Sequence, residues 1–315
     1  MKHLFLINPA AGKYDHTREF QEKIHAACAG LDYRIQISQQ PGDCTRLARQ
    51  AAETGQPVRI YACGGDGTLN EAVAGAAGYE NASLTHFPGG SGNDFIKIFS
   101  DPAAFSDLPR LLNPQETLFD LIECNGEPVL NICSMGLDAR IGTRMAAYKR
   151  LPLISGSGAY LLSALVNTIK GVQEFYRVEV DGQVIQGQQT MICVCNGRWY
   201  GGGFHPVPDA DPADGLLDVL LVKGVSRFTV MRLIGPYKAG HYARYPQLIR
   251  HIRTDRLRII CQRENPVNLD GELRMAQTVE IRLSPHKLRF FYPKDLVWQR
   301  NPAKSCAIGS KCGAI

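Results

Sequence analysis

The sequence predicts an N-terminal doubly wound α/β unit followed by a mainly antiparallel β-sandwich, and three observations carry that reading. In the first third of the chain, short unbroken apolar runs alternate with helix-period segments, the pattern of a parallel sheet covered on both faces. From about residue 121 strand-like segments dominate instead. Asn125-Gly126, Asp181-Gly182 and Asp270-Gly271 fall between such segments and signal two-residue hairpin turns.

Taken in order, residues 4–7 form an unbroken apolar run suited to a buried parallel strand. Residues 17–28 read as a helix, 33–37 as a strand, 45–54 as a helix and 58–62 as a third strand. Residues 70–77 are helical and 84–87 make a fourth strand. In the second unit the expected strands are 121–124, 129–134, 176–180, 190–195, 217–223, 256–261, 279–283 and 288–292. Residues 151–171 and 228–252 are its expected helical parts. At ~100–200 residues per domain, 315 residues suit two units. The boundaries are read as 1–121 and 122–292, with a C-terminal segment 293–315 that could pack back on the first unit. Its small-residue end, 301–315, is expected to be disordered.

Composition excludes several classes. A net charge of +5 is too mild for nucleic-acid binding. The charge is unevenly placed, however. No acidic residue stands between Asp218 and Asp255, whereas Lys223, Arg227, Arg232, Lys238, Arg244, Arg250 and Arg253 do. Such a stretch suits either a solvated helix face or an anionic lipid surface, which attracts basic residues by ~1 kcal/mol each. With Phe228, Tyr237, Tyr242 and Tyr245 interleaved, it is expected to dock peripherally on anionic membrane. The ten cysteines include no CxxC pair, so zinc and a disulfide framework are not expected. They fit buried thiols of a reducing cytoplasm, with Cys193 and Cys195 on one face of a strand. The N-terminal apolar run is too short for a signal peptide. The uncharged stretch 151–169 contains Pro152, Gly156 and Gly158, which read as a loop before a partly buried helix.

Three loops follow predicted strands at the carboxyl edge, where open α/β sheets bind ligands. The first is Asn8, Pro9, Ala10, Ala11, Gly12 and Lys13, which lacks the Walker A spacing. The second is Gly64, Gly65, Asp66, Gly67, Thr68, Leu69 and Asn70. Its glycines let backbone N–H groups turn toward an anion at a helix N-terminus. An acid in such a nest makes sense where a divalent cation lies beside phosphates. A tight strand–helix turn with Asp66 or Thr68 as cap is the structural alternative. The third loop, Pro88-Gly89-Gly90-Ser91-Gly92-Asn93-Asp94-Phe95, repeats the recipe. Farther on, residues 209–218 pack four carboxylates into ten positions, suiting either a cation or a solvated loop.

GGDGTLN followed by PGGSGNDF, with NPAAGK before and DADPADGLLD and LDGE after, resembles the diacylglycerol kinase catalytic-domain family, shared by soluble bacterial lipid kinases and sphingosine kinases. The resemblance covers nearly the whole chain. It implies a nucleotide domain, a lipid domain, and Mg²⁺-dependent transfer of the γ-phosphoryl of ATP to the hydroxyl of diacylglycerol or a related membrane lipid. By the same resemblance, Asn8 through Lys13 and Gly64 through Asn70 line the ATP cleft, and Ser38 and Ser91 supply hydroxyls to the nucleotide. Asp66 and Asp94 hold the catalytic Mg²⁺ through water. Asp211, Asp214 and the carbonyl of Leu216 hold a second, structural Mg²⁺. Asp270 and Glu272 match the general base and its support. Ser91 stands where many relatives have threonine, and Asp211 where serine or lysine is common. A homodimer is compatible with the resemblance, though nothing in the sequence requires one. A kinase of small molecules such as NAD shares the GGDGT logic, and a non-catalytic nucleotide- or lipid-binding regulator is the alternative from another class.

Overall fold

The computed structural model describes residues 1–140 and 173–298. The helix expected at 151–171 and the tail expected to be disordered lie outside the described residues. The first sheet contains β1 (Lys2–Ile7), β2 (Tyr33–Ile37), β3 (Val58–Gly64), β4 (Ala82–Pro88), β5 (Pro114–Phe119) and a late strand, β15 (Leu288–Pro293). Their order is β2-β1-β3-β4-β15-β5. The first four are mutually parallel, as the apolar runs predict. Helices α1 (Thr17–Ala27), α2 (Asp43–Ala52) and α3 (Asp66–Ala76) connect them, and a short α4 (Leu108–Leu112) follows. The crossover from β1 to β2 runs one way and those to β3 and β4 run the other. Right-handed connections therefore place α1 on one face and the mutually packed α2 and α3 on the opposite one. The sheet is doubly wound.

One strand sits in a different sheet from the one expected. Residues 288–292 were expected in the second unit, but β15 runs parallel to β4 and antiparallel to β5 in the first sheet. Burial explains this. Phe290 and Phe291 are fully buried, and the Phe290 ring lies 5.2 Å from Phe95 and 5.9 Å from Phe119. Removing this aromatic surface from water outweighs the long loop closure that returns the strand, because closure entropy grows only logarithmically with length.

The second unit is antiparallel and folded on itself. Its strands are β6 (Ile122–Cys124), β7 (Glu127–Val129), β8 (Ile132–Gly136), β9 (Glu174–Val180), β10 (Gln183–Cys195), β11 (Leu217–Lys223), β12 (Ile249–Thr254), β13 (Arg256–Leu269) and β14 (Glu272–Leu283). The two longest, β10 and β13, each pair with β9 along one half and β8 along the other. Register shifts between Gln189 and Met191 and between Ile260 and Asn265 mark the bends, as bulges do at sandwich corners. Alternation then buries both faces of the central strands. Ile192 and Val194 point into the core between the layers, and Cys193 and Cys195 into a second core beneath helix α5 (Arg227–Lys238). All eight cysteines among the described residues are buried free thiols.

Asn125-Gly126, Asp181-Gly182 and Asp270-Gly271 all adopt positive φ and close two-residue hairpins, as predicted. The helix expected over 228–252 is shorter. It stops at Lys238, Gly240 turns with φ +75°, and residues from Ile249 pair with β11 as β12. The strand expected over 129–134 is broken between β7 and β8, for a reason that belongs to the site.

Candidate active site

The strand order reverses its direction of growth between β1 and β3, so the loops after them diverge and leave a crevice at the carboxyl edge. The loop Asn8–Gly12 meets the loop after β3 directly. The Asn8 amide donates to Thr68 Oγ1 at 3.1 Å, while its Oδ1 accepts the Ala10 N–H at 3.0 Å. The loop after β4 closes the third side, with Gly89 N–H on the Gly64 carbonyl at 2.7 Å. The contact between the second and third loops is backbone to backbone. A Cβ on Gly90 would lie 2.6 Å from Gly65 Cα, and one on Gly12, whose φ is +83°, would lie 2.6 Å from the Gly89 oxygen. Only glycine fits at either position.

Helix α3 starts at Asp66, four residues earlier than expected, because Gly65 takes the N-cap position in extended conformation. No side chain caps it, so its first N–H groups remain available to an anion. Pro9 and Leu69 belong to the same loops, with Leu69 buried beneath the helix. Ser38 follows β2, its N–H on the Ile7 carbonyl beside the first loop. Lys13 and Ser91 are exposed at the rim.

Three acids meet in this crevice. Asn93, in the left-handed region at φ +50°, turns the backbone so that the Asp94 N–H donates to Asp66 Oδ1 at 2.5 Å. The Asp94 carboxylate is buried and takes Lys97 Nζ at 2.5 Å on one oxygen. Its other oxygen accepts the Gly202 N–H of the second unit at 2.8 Å. Burial raises the pKa of Asp66, and burial followed by the charge of Asp66 raises that of Asp94. The third acid is Asp270, at the tip of the β13–β14 hairpin with φ +49°. Its carboxylate accepts three consecutive backbone N–H groups: Leu130 and Asn131 at 2.9 Å and Ile132 at 2.7 Å. That demand is what breaks the expected strand 129–134, since these amides face Asp270 rather than a neighbouring strand. The residue is half-buried, yet its carboxylate is enclosed. Burial pushes it up to about 7 against the pull of the three amides, and the charge of Asp66 adds to the rise.

Other predicted residues lie elsewhere. Glu272 is exposed at the start of β14, 3.9 Å from Arg274, and does not support Asp270. Asp211 Oδ1 accepts the Ala213 N–H, and Asp214 pairs with Arg253 and accepts the Leu216 N–H. Asp214 is pushed up to about 6, first by burial. Among the described residues no group of three or more His, Cys, Asp or Glu is arranged to hold a metal, at this segment or in the crevice. An arginine already neutralises Asp214, so the segment offers a poor fit to a structural cation. The crevice fits one better. Two buried, mutually repelling carboxylates share one lysine there, and Mg²⁺ binds through one or two carboxylates when phosphates and water complete its shell.

Several residues at the crevice escaped the sequence reading. Lys97 lies three positions after Asp94, a helical spacing that could have revealed it. The Lys97 ammonium sits 5.6 Å from the centre of the Trp199 ring, which stacks on His205 at 3.8 Å. Gly202 and Asn196 reach the first unit from the second. The Asn196 amide donates to the Asp120 and Leu130 carbonyls. One loop thus has two sides. Gly202 touches Asp94, while Tyr200 and Phe204 line an apolar cavity behind α5. Met191, Val222, Val230 and Ile234 complete much of its wall.

Comparison with known proteins matches both halves. Residues 2–124 match the diacylglycerol kinase catalytic domain, and residues 131–292 the YegS C-terminal NAD kinase beta sandwich-like domain. The chain belongs to the diacylglycerol kinase-like family of lipid kinases. Within that family it is 28% identical over 289 residues to a Pseudomonas fluorescens protein named "Probable lipid kinase YegS-like", covering 90% of this chain and 94% of the other. Two solved structures from Bacillus anthracis str. Sterne share its fold. One, named "putative diacylglycerol kinase", is 25% identical with a TM-score of 0.71, covering 96% of this chain and 98% of that one. A second diacylglycerol kinase structure, 22% identical, has a TM-score of 0.66 with coverages of 96% and 97%.

Proposed function

We propose that this kinase-family chain transfers the γ-phosphoryl group of ATP to the hydroxyl of a membrane lipid, diacylglycerol or a close relative, with Mg²⁺. The observation that carries the reading is the two-sided loop at residues 200–204. It puts an apolar cavity directly behind the paired acids of a glycine-lined, anion-seeking crevice. A soluble nicotinamide acceptor would have no use for that cavity.

In this reading the loop amides and the α3 N-terminus orient the phosphates and offset their charge. Asp66 and Asp94 would hold Mg²⁺, which when bound would supply positive charge to offset that of the phosphates. Lys97 holds Asp94 in place from its other side. Asp270 accepts the proton of the attacking hydroxyl. With its carboxyl pushed up to about 7, it is basic enough to take that proton and largely ionised just above neutrality. The three amides fix the direction of its oxygens.

The same reading extends to a membrane surface. On α5, Val230, Leu233, Ile234 and Tyr237 face the cavity, and Phe228 and Met231 face outward with relative exposures of 80% and 58%. Arg227 and Arg232 flank them, and no acid lies nearby in the chain. Tyr237, expected at the interface, is buried instead. Sedimentation with vesicles of phosphatidylcholine and phosphatidylglycerol should show binding that depends on the anionic lipid and weakens severalfold in the Phe228→Ala/Met231→Ala double variant. Binding indifferent to both would remove this surface from the proposal.

The activity itself is tested by labelled γ-phosphate transfer from ATP to a panel of lipids in mixed micelles, with NAD as a parallel acceptor. A phosphorylated lipid, absent with Asp66→Ala and Asp270→Ala, is the expected result. Labelled NAD, or no labelled acceptor at all, would overturn it.

A further inference from the structure

A chain of buried hydrogen bonds runs from the turn that carries Asp270 to the apolar cavity. Gly271, beside Asp270 and at φ +99°, donates its N–H to Asn268 Oδ1 at 2.8 Å. The Asn268 amide donates to Ser134 Oγ at 3.3 Å. Ser134 donates to Asp138 Oδ2 at 2.5 Å, and Asp138 Oδ1 accepts the Tyr200 hydroxyl at 3.2 Å. The Tyr237 hydroxyl lies 3.5 Å from that of Tyr200. Asn268 and Ser134 are direct cross-strand partners of β13 and β8, and Asn268, Ser134, Asp138, Tyr200 and Tyr237 are all buried. Asp138, Tyr200 and Tyr237 line the cavity.

From Gly271 to Asp138 the donors run one way, and Asp138 receives the Tyr200 hydroxyl from the cavity side. Asn268 can accept from Gly271 only while its amide faces Ser134, and Ser134 can accept from Asn268 only while its own proton goes to Asp138. The orientation of each link is thereby set by the next one toward the cavity. A buried network of this kind is either fully satisfied and rigid or a source of looseness. Asp270 and Gly271 both sit at positive φ in the two-residue turn that joins β13 to β14, and the Asn268 side chain takes up the Gly271 N–H inside that turn.

We propose that Asn268 and Ser134 are positioning residues, which link filling of the apolar cavity to the placement of Asp270. This rests on the lipid-kinase reading above. An acyl chain that packs against Tyr200 and Tyr237 fixes Asp138, and through Ser134 and Asn268 it fixes the turn. Short-chain acceptors leave the cavity wall at Tyr200 and Tyr237 without that packing and the base less well placed. The cavity then contributes to turnover as well as to binding, so a longer chain raises kcat and does more than lower KM.

The test compares 1,2-diacylglycerols with two C6 chains and two C18 chains in mixed micelles, using wild type, Ser134→Ala and Asn268→Ala. ATP binding measured by calorimetry serves as the check on folding of the nucleotide unit. Wild type should show a higher kcat on the C18 acceptor. Both variants should lose about ten- to a hundredfold in kcat on that acceptor, a size typical of a slightly misplaced reacting group. Their kcat on the C6 acceptor and their affinity for ATP should stay close to wild type. Equal loss on both acceptors would mark the residues as merely structural and overturn the proposal, as would no loss on either. Failure of wild type to phosphorylate any lipid in the broader panel would sink the kinase reading itself, and the link with it.

Discussion

Asp270 gathers the clearest predictions at the scale of single residues. Because its carboxyl is pushed up to about 7 and the ionised form is the one that accepts a proton, kcat/KM should rise with pH through about 7 and level off above it. Asp270→Asn keeps the shape but cannot accept that proton. It should lower kcat by ~10²–10⁴-fold, read from steady-state transfer. Asp66 has a stability signature. Its folded pKa is raised, so its ionisation costs stability as pH climbs above the ordinary carboxylate value. Asp66→Asn should therefore match wild type at pH values below the ordinary carboxylate range, where both side chains are neutral. At pH 8 it should melt higher than wild type, while added Mg²⁺ should raise the melting temperature of wild type alone. Asp66 and Asp94 were legible because each sits inside a glycine-rich loop after a strand, whereas the turn at Asp270 reads locally as a plain hairpin and only the resemblance singled it out. Gly202, Trp199 and Asn196 were not, because their partners lie far away along the chain and no local pattern records them. Glu272 entered through the resemblance as the support of Asp270, and two residues along a strand from a turn is enough to send a side chain into solvent.

Among the elements, the three glycine loops behave as one unit because they touch through their backbones. Gly90→Ala would push its Cβ into Gly65 and spread the crevice. The expected result is a ten- to hundredfold loss in kcat/KM for ATP, with thermal unfolding little changed, since the strain falls on loops rather than on the sheet. The hairpins at Asn125, Asp181 and Asp270 were readable because the two-residue turn has strict backbone demands that Asn-Gly and Asp-Gly meet. The break between β7 and β8 was invisible. Residues 129–134 have the composition of one strand, and only the distant carboxylate of Asp270 divides them. Helix α5 was overextended in the reading because the residues after Lys238 remain apolar and basic. Gly240 and pairing with β11 decide otherwise, a tertiary override of local preference.

The whole molecule is tied together by β15. The alternation of strands and helices revealed the doubly wound half, yet nothing local in residues 288–292 distinguishes a strand of one sheet from a strand of the other. Its partners decide, and they lie in the first half. A fragment of residues 1–120 should accordingly remain unfolded, because it leaves a gap between β4 and β5 and uncovers Phe95 and Phe119. Phe119 pairs with Leu288 in antiparallel register, so a short Asn-Gly turn joining residue 120 to a segment 287–298 should restore a cooperative melt, followed by circular dichroism. A cooperative melt of the unextended fragment would contradict this.

That late strand also sets an order on events during synthesis. A growing chain emerges from the ribosome N-terminus first, and domains ordinarily fold in that sequence. Here the half that receives the nucleotide waits for a piece made after the acceptor half is finished. A nascent chain stalled between Phe95 and Leu288 carries every glycine loop but lacks the strand that closes the sheet holding them in place. Premature termination would therefore yield products whose glycine loops are not assembled into a crevice.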